Sequence, residues 1–491
     1  MGEEDHLINE RLRKLNEIRE LRINPYPYKY NQTHHSDELQ SKYKKLKAEQ
    51  KTKDNVSVAG RIMILRRMGK ATFVDIQDEK GKIQAYFNQD ILGKPKYKFL
   101  KKLDIGDYIG VKGTVFKTRM GEVTIQTKSY ELLSKSIRPL PEKYHGLQDV
   151  EARYRQRYLD LIFNEKSMET FKIRSKVIKG IREFLDKKGF YEADTPVLQP
   201  IYGGANARPF TTHHNTLNMQ LYLRISDELY LKRLVIGGFE KVYEIGKDFR
   251  NEGMDTQHNP EFTMIEWYWA YADYNDNMKL LEQMIGKLTK DIMGTKDIVY
   301  QGKKISFKTP WKRLTMKEAL KKFAKINVDK MSQKELESKL KGQKIEIRGK
   351  ITKGVLINAL FEEFVQSKIV QPTFIIDYPK EVSPLTKIHR KDNELTERFE
   401  LFINGEEYAN AYSELNDPID QRNRLKEQVE NRKLGDDEAQ PMDEDFVSAM
   451  EYGMPPMSGL GLGIDRLIML LTDSPTIRDV ILFPTLRPEK K

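Results

Sequence analysis

The stretch from Phe239 to Trp269 limits the fold of this chain more sharply than any other. Phe239-Glu240-Lys241-Val242-Tyr243-Glu244-Ile245 alternates apolar and polar residues, the period of a half-buried strand, and Phe262-Thr263-Met264-Ile265-Glu266-Trp267-Tyr268-Trp269 is β-branched and aromatic. Between them lies Arg250-Asn251-Glu252-Gly253-Met254-Asp255-Thr256-Gln257-His258-Asn259-Pro260-Glu261, which is polar and rich in turn formers. Two strands joined by a charged loop are therefore expected. Such loops are usually solvated surface hairpins; the order of residues in this one points instead to a nucleotide site.

Other strand signals lie earlier. Val56 to Ile64, Ala71 to Gln77, Lys82 to Phe87, Tyr108 to Phe116 and Glu122 to Leu133 are short strand-like runs, punctuated by Gly69, Gly81, Gly106 and Gly121. Five strands at this spacing suit a small barrel such as an OB-fold, which binds oligonucleotides on an open face. Ahead of it, Leu7, Leu12, Leu15, Ile18 and Leu21 mark an amphipathic helix stopped by Pro25 and Pro27, and Lys42 to Lys53 reads as a solvated helix face. With 491 residues and 38% hydrophobic content, the chain builds more than one core.

The charge is uneven. Residues 1 to 150 hold 30 Lys and Arg against 20 Asp and Glu, so nearly all of the net +12 sits in the first third. A localised positive field suits a phosphate backbone better than a small acidic metabolite, and a lysine-rich proteome would spread its bias evenly. No run approaches the roughly 20 apolar residues of a membrane span, and the acidic start lacks a signal-peptide pattern, so a soluble, cytoplasmic protein is expected. The absence of cysteine excludes disulfides, thiolate catalysis and cysteine-bound zinc. The tandem His213-His214 lacks a third ligand at suitable spacing and reads as structural.

Further on, Phe171, Val177, Ile178, Ile181, Phe184 and Leu185 mark an amphipathic helix ended by Gly189. Glu400 and Glu407 are seven residues apart and would face opposite sides of one strand. Asn404-Gly405 supplies a hairpin turn that sets them on neighbouring strands.

The segments Phe249-Arg250-Asn251-Glu252-Gly253 and His258-Asn259-Pro260-Glu261-Phe262-Thr263 resemble motif 2 of the class II aminoacyl-tRNA synthetases, in the form seen in lysyl-tRNA synthetases. Gly189-Phe190-Tyr191-Glu192-Ala193-Asp194-Thr195-Pro196 resembles motif 1, and Gly459-Leu460-Gly461-Leu462-Gly463-Ile464-Asp465-Arg466 resembles motif 3. The three occur in family order, and Arg153-Tyr154-Arg155-Gln156-Arg157-Tyr158 resembles the lysyl and aspartyl branch. The similarity extends over the barrel and Thr476 to Pro484, sparing only an insertion near residues 290 to 370.

The resemblance implies an α+β protein. Its parts are an N-terminal helical extension (1–55), an OB-fold anticodon-binding barrel (56–136), a linker (137–165) and a class II catalytic domain (166–491) built on a mixed, mainly antiparallel sheet flanked by helices. It implies ATP-dependent activation of L-lysine and transfer to tRNA(Lys), with magnesium as cofactor. The long motif 1 helix would pack across the axis of a twofold homodimer.

By the same resemblance, Arg250 holds the α-phosphate and the substrate carboxylate, and Arg466 the far phosphate. Glu252, His258 and Phe262 contact ATP, with Phe262 stacked on adenine, while Glu400 and Glu407 hold magnesium. Gly204 and Glu228 receive the α-amino group, Asn410 the carboxylate and Tyr412 the stem of lysine. Glu266, Tyr268 and Glu414 receive its distal amine. Carboxylates around an ammonium are chemically apt, since a neutral analogue leaves them buried and unpaired. In the barrel, Phe73 would stack on an anticodon base, with Gln84 and Glu122 at base edges. The alternatives are a core position for Phe73, solvated strand positions for Gln84 and Glu122, and surface ion pairs of Arg250 with Glu252 and of Arg466 with Asp465.

Ala411 and Tyr412 stand where many bacterial members have Gly and Phe, and Trp267 and Trp269 replace smaller residues. A protein lysyltransferase would use the same adenylate chemistry but lacks the barrel. A non-catalytic nucleic-acid-binding relative would have lost charges at Arg250, Glu400, Glu407 or Arg466, and all four are present.

Overall fold

A computed structural model describes residues 2–141, 149–343 and 349–489. Residues 142–148 of the linker, with His145, and 344–348 of the insertion lie outside the described residues. The chain divides into two compact units, Met1–Gln148 and Asp149–Lys491.

In the first unit, the leucine and isoleucine spacing yields a helix over Glu3–Glu20 that buries Leu15 and Ile18. Strands β1 (Lys51–Met68), β2 (Ala71–Gln77), β3 (Lys82–Asn88), β4 (Tyr108–Lys117) and β5 (Val123–Ser134) close into a barrel of order β1-β2-β3-β5-β4. Val58, Ile62, Val74, Ile76, Ala85, Phe87, Val111 and Ile125 fill its interior, every second residue along each strand. The lysine-rich stretch differs from expectation. Only Lys42 lies on a helix, Ser36–Tyr43, whereas Lys51 and Lys53 already belong to β1, which pairs Lys51 with Phe116.

The second unit contains, in chain order, β6 (Tyr191–Glu192), β7 (Leu198–Gln199), β8 (Thr211–His214), β9 (Met219–Leu223), β10 (Lys241–Phe249), β11 (Glu261–Ala270), β12 (Asp297–Tyr300), β13 (Lys303–Ser306), β14 (Lys312–Thr315), β15 (Thr373–Pro379), β16 (Ile388–His389), β17 (Asp392–Ile403), β18 (Glu406–Ser413) and β19 (Met457–Gly463). Nine of these form one sheet of order β14-β15-β17-β18-β19-β11-β10-β6, with β16 beside β17. Only β14 with β15 and β6 with β10 run parallel, so the sheet is mixed and mainly antiparallel. The strand expected from Phe239 begins at Lys241 and runs on to Phe249.

Helices Glu165–Lys187 and Tyr274–Met293 cover one face of this sheet. Their Val177, Ile181, Leu185, Met278, Leu281 and Ile285 share a core with Trp267, Leu460 and Leu462 of the strands. The insertion has a small core of its own, with Leu320, Leu336, Leu360 and Phe361 packed on Tyr378 and Phe402, and β14 extends the main sheet. Among the described residues, no helix is long and apolar enough to cross a membrane.

Candidate active site

The face of the sheet turned away from that core carries a cleft of about 390 Å³. Its floor is β19, where Gly459, Gly461 and Gly463 alternate with the buried Leu460 and Leu462. Missing side chains on the central strand leave room that the neighbouring strands fill with polar groups. One rung across the sheet reads Glu266, Gly461, Asn410, Glu400; the next reads Tyr268, Gly459, Tyr412, Arg398.

The β17–β18 connection is the two-residue turn expected, with Asn404 and Gly405 both at positive φ (52° and 83°). Phe402 pairs with Glu407, so Glu407 shares a face with Glu400. A bulge then shifts the register, so that Leu401 pairs with Ala409 and Glu400 with Asn410. The extra residue, Tyr408, puts Asn410, Tyr412 and Glu414 on the same face as Glu407. Sequence parity alone would not have done so. Glu400 accepts from Arg398 Nη2 at 2.5 Å and Tyr378 Oη at 2.8 Å. Burial, with the Glu400 charge beside it, pushes Glu407 up to about 7.

At the other side, Arg250 directly follows β10, its guanidinium 5.0 Å from the centre of the Phe262 ring and its Nε and Nη2 directed at the Ile225 carbonyl. Arg466 donates to the Glu407 carbonyl at 2.7 Å and approaches His258 Nε2 at 3.2 Å. An arginine can only donate, so His258 carries its proton on Nδ1 and gives it to Asp255, 2.8 Å away. Asp465 pairs with Arg174 and accepts from the Thr263 amide, rather than pairing with Arg466. The loop itself is tied to the end of the chain, where Ile477 N donates to the Thr256 carbonyl at 2.8 Å. Glu252 lines the cleft from this loop.

The remaining end is acidic and buried. Glu266 accepts from Ser226 Oγ at 2.7 Å and Tyr268 Oη at 3.0 Å. Burial pushes Glu266 up to about 8, with help from Asp248 and Glu228, and pushes Glu414 to about 8 against the opposing pull of Lys232. Glu228 sits in the first turn of helix Glu228–Ile236 and is also raised by burial. Gly204, at φ 85°, passes so close that a Cβ there would lie 2.8 Å from Ser226 Oγ and 2.9 Å from Glu228 Cβ. Behind Glu266, Asp227, Glu244 and Asp248 surround the buried Arg224.

All fourteen residues singled out in this unit line the one cleft. Two neighbours escaped sequence reasoning, although spacing offered a clue to each. Arg398 is two residues from Glu400 on the same strand face, and bonds Asn410 as well as Glu400. Lys232 is one helical turn beyond Glu228. The exposed β8 pair His213-His214 gathers no further ligand, and among the described residues no group of three or more His, Cys, Asp or Glu side chains is arranged to hold a metal.

On the barrel, Phe73 lies outside the core, half-buried and paired across strands with Tyr86, their ring centres 4.9 Å apart. Phe116 continues the row 6.0 Å from Tyr86. Gln84 is buried rather than solvated, donating to Glu122 at 2.6 Å and accepting from Thr124 at 3.0 Å, whereas Glu122 is exposed, just ahead of β5.

Comparison with known proteins is concordant along the chain. Residues 149–487 match the family model of tRNA synthetases class II (D, K and N), and residues 56–133 match the OB-fold nucleic acid binding domain. The chain is 54% identical over 489 residues to the lysine–tRNA ligase of Clostridium novyi (strain NT), covering 99% of this chain and 95% of that one. It is 54% identical to the lysine–tRNA ligase of Carboxydothermus hydrogenoformans (99% and 98% covered) and 53% identical to that of Pelotomaculum thermopropionicum (99% and 96%).

Proposed function

The chain belongs to the class II lysine–tRNA ligases, and from that premise we propose that it joins L-lysine to tRNA(Lys) through a lysyl-adenylate formed in the cleft above β19. The observation that carries this reading is the division of the cleft by charge, with Arg250 and Arg466 at one end and Glu228, Glu266 and Glu414 at the other. A substrate with a carboxylate and an ammonium on one carbon and a second ammonium at the far end of its side chain fits that division.

In the first step, a lysine carboxylate oxygen attacks the α-phosphorus of ATP. A new O–P bond forms, the bond to the β-phosphate oxygen breaks, and pyrophosphate leaves. Positioning two anions against each other is the main difficulty. Arg250, with its planar fork of donors, is assigned to the carboxylate and the α-phosphate, and Arg466 to the departing end. Phe262, already stacked beneath Arg250, offers an apolar face for adenine, and Glu252 and His258 flank it. In the second step, the terminal ribose hydroxyl of tRNA attacks the lysyl carbonyl and AMP departs.

Glu400 and Glu407 fit a magnesium ion bound with the ATP phosphates. They are hard oxygen ligands on one face, and a cation there would offset the burial and the neighbouring Glu400 charge that raise Glu407. When bound, the ion would neutralise phosphate charge; Arg398 keeps Glu400 oriented towards the same face.

For the distal amine of lysine, Glu266, Tyr268 and Glu414 supply the receptors, with Glu228 and Gly204 at the α-amino group, Asn410 at the carboxylate and Tyr412 along the stem. Phe73, Gln84 and Glu122 are assigned to the anticodon. A homodimer is supported by the end strand β6, where Tyr191 is 66% exposed and packs edge-on against the 45% exposed Phe239. ATP–pyrophosphate exchange measured with each of the twenty amino acids tests the reading. Lysine should drive exchange, and exchange driven by aspartate or asparagine instead would refute it.

A further inference from the structure

Lys232 lies against the site without lining the cleft. It is fully buried, with Nζ 2.5 Å from Glu228 Oε1 and 2.6 Å from Glu414 Oε2. Its ammonium is 5.9 Å from the ring centres of both Tyr268 and Phe446. Burial works against the charge, but the two carboxylates outweigh it and hold the lysine above its ordinary value.

Resting on the reading above, we propose that Lys232 is a positioning residue that fixes the spacing of the two acids meeting the α- and distal ammonium groups, and so makes the pocket select chain length. One ammonium in contact with both carboxylates limits how far apart their bound oxygens can move, while each acid keeps a second oxygen for the substrate. The helix anchors this gauge. Glu228 and Lys232 are one turn apart on Glu228–Ile236, whose Leu231 and Val235 are buried.

Charge leads to the same conclusion. Glu228, Glu266 and Glu414 carry three negative charges when ionised, and Lys232 cancels one. Two remain, equal to the two ammonium groups of a diamino acid. The other polar neighbours are Ser226, which bonds Glu266, Tyr268 and Tyr412, held neutral by burial, Arg398, which is engaged with Glu400 and Asn410, and, behind Glu266, the buried Asp227, Glu244 and Asp248 around Arg224, with Asp227 and Asp248 both raised by burial. A pair serving stability alone would be replaceable by apolar packing with little effect on substrate choice.

The test uses full-length Lys232→Met and Lys232→Arg in ATP–pyrophosphate exchange with L-lysine and with L-ornithine, one methylene shorter, between pH 6.5 and 9. A methylene is worth about 10–200-fold in discrimination where a pocket reads length. In Lys232→Met, the lysine-to-ornithine ratio of kcat/KM should fall about tenfold or more, and KM for lysine should rise while KM for ATP stays within about twofold. Its KM–pH profile should shift to higher pH, because acids without a resident cation hold their protons longer. Lys232→Arg keeps the charge but not the spacing, so its ratio should fall with the pH profile unmoved; it decides the matter should Lys232→Met not fold. An unchanged ratio in a folded variant overturns the proposal, as does a parallel rise of both KM values with a lowered Tm. Failure of the wild type to exchange with lysine would instead overturn the underlying reading.

Discussion

Single side chains in this site work against their own solvation. Glu266 and Glu414 are both pushed up to about 8 by burial, so each is largely protonated near neutral pH in the free protein. Binding an ammonium needs the carboxylate. KM for lysine should therefore fall by about tenfold or more as pH rises from 6.5 to 8.5, while KM for ATP changes less. Stability should move the other way. A carboxyl whose folded pKa is raised contributes stability below its ordinary value, and that contribution is lost as pH rises through about 8. Thermal stabilisation by added lysine should grow over the same interval, which differential scanning fluorimetry would register; a flat response would remove these acids from the binding step. Glu414→Gln should lower kcat/KM for lysine by about a hundredfold or more. The acids themselves were legible in the sequence through the family motif. Lys232 and Arg398 were not, because a cation that serves another side chain leaves no mark beyond its spacing.

At the level of elements, β19 acts through what it lacks. A Cβ at Gly459 would lie 2.3 Å from Tyr268 Cε1 and 2.4 Å from Glu414 Oε1, whereas one at Gly461 meets nothing closer than Met264 Cε at 3.1 Å. Gly459→Ala should raise KM for lysine by about a hundredfold, and Gly461→Ala by no more than about tenfold, both with cooperative melting retained. Equal effects in steady-state exchange would mean that the strand, not the space above it, matters. The turn at Asn404-Gly405 could be read from two residues because it is a local preference. The bulge at Tyr408 could not. It is settled by how β18 meets β17 on one side and β19 on the other, contacts between residues far apart in sequence. The early start of β1 has the same origin, since Lys51 becomes strand by pairing with Phe116.

Across the whole molecule, the proposed function assigns tRNA recognition to the barrel and the chemistry to the sheet. Phe73→Ala should reduce kcat/KM for tRNA charging by about 5–150-fold, the range expected for loss of one base stack, and leave lysine-dependent exchange unchanged. Equal losses in both assays would indicate a disturbed barrel instead. The division into barrel and sheet was legible because turn residues and strand periods are local. The order of the sheet was not, because it depends on which distant strands meet. In that order, β19, the strand of this sheet latest in the chain, inserts between β18 and β11. During synthesis on the ribosome, residues 241–413 therefore emerge as two half-sheets with no strand-to-strand hydrogen bond between them, although the helix Tyr274–Met293 packs on both. Glu266 belongs to one half and Glu414 follows the other, so a chain lacking residues 457–463 lacks the strand that sets the two acids across one floor, and it should show no lysine-dependent exchange.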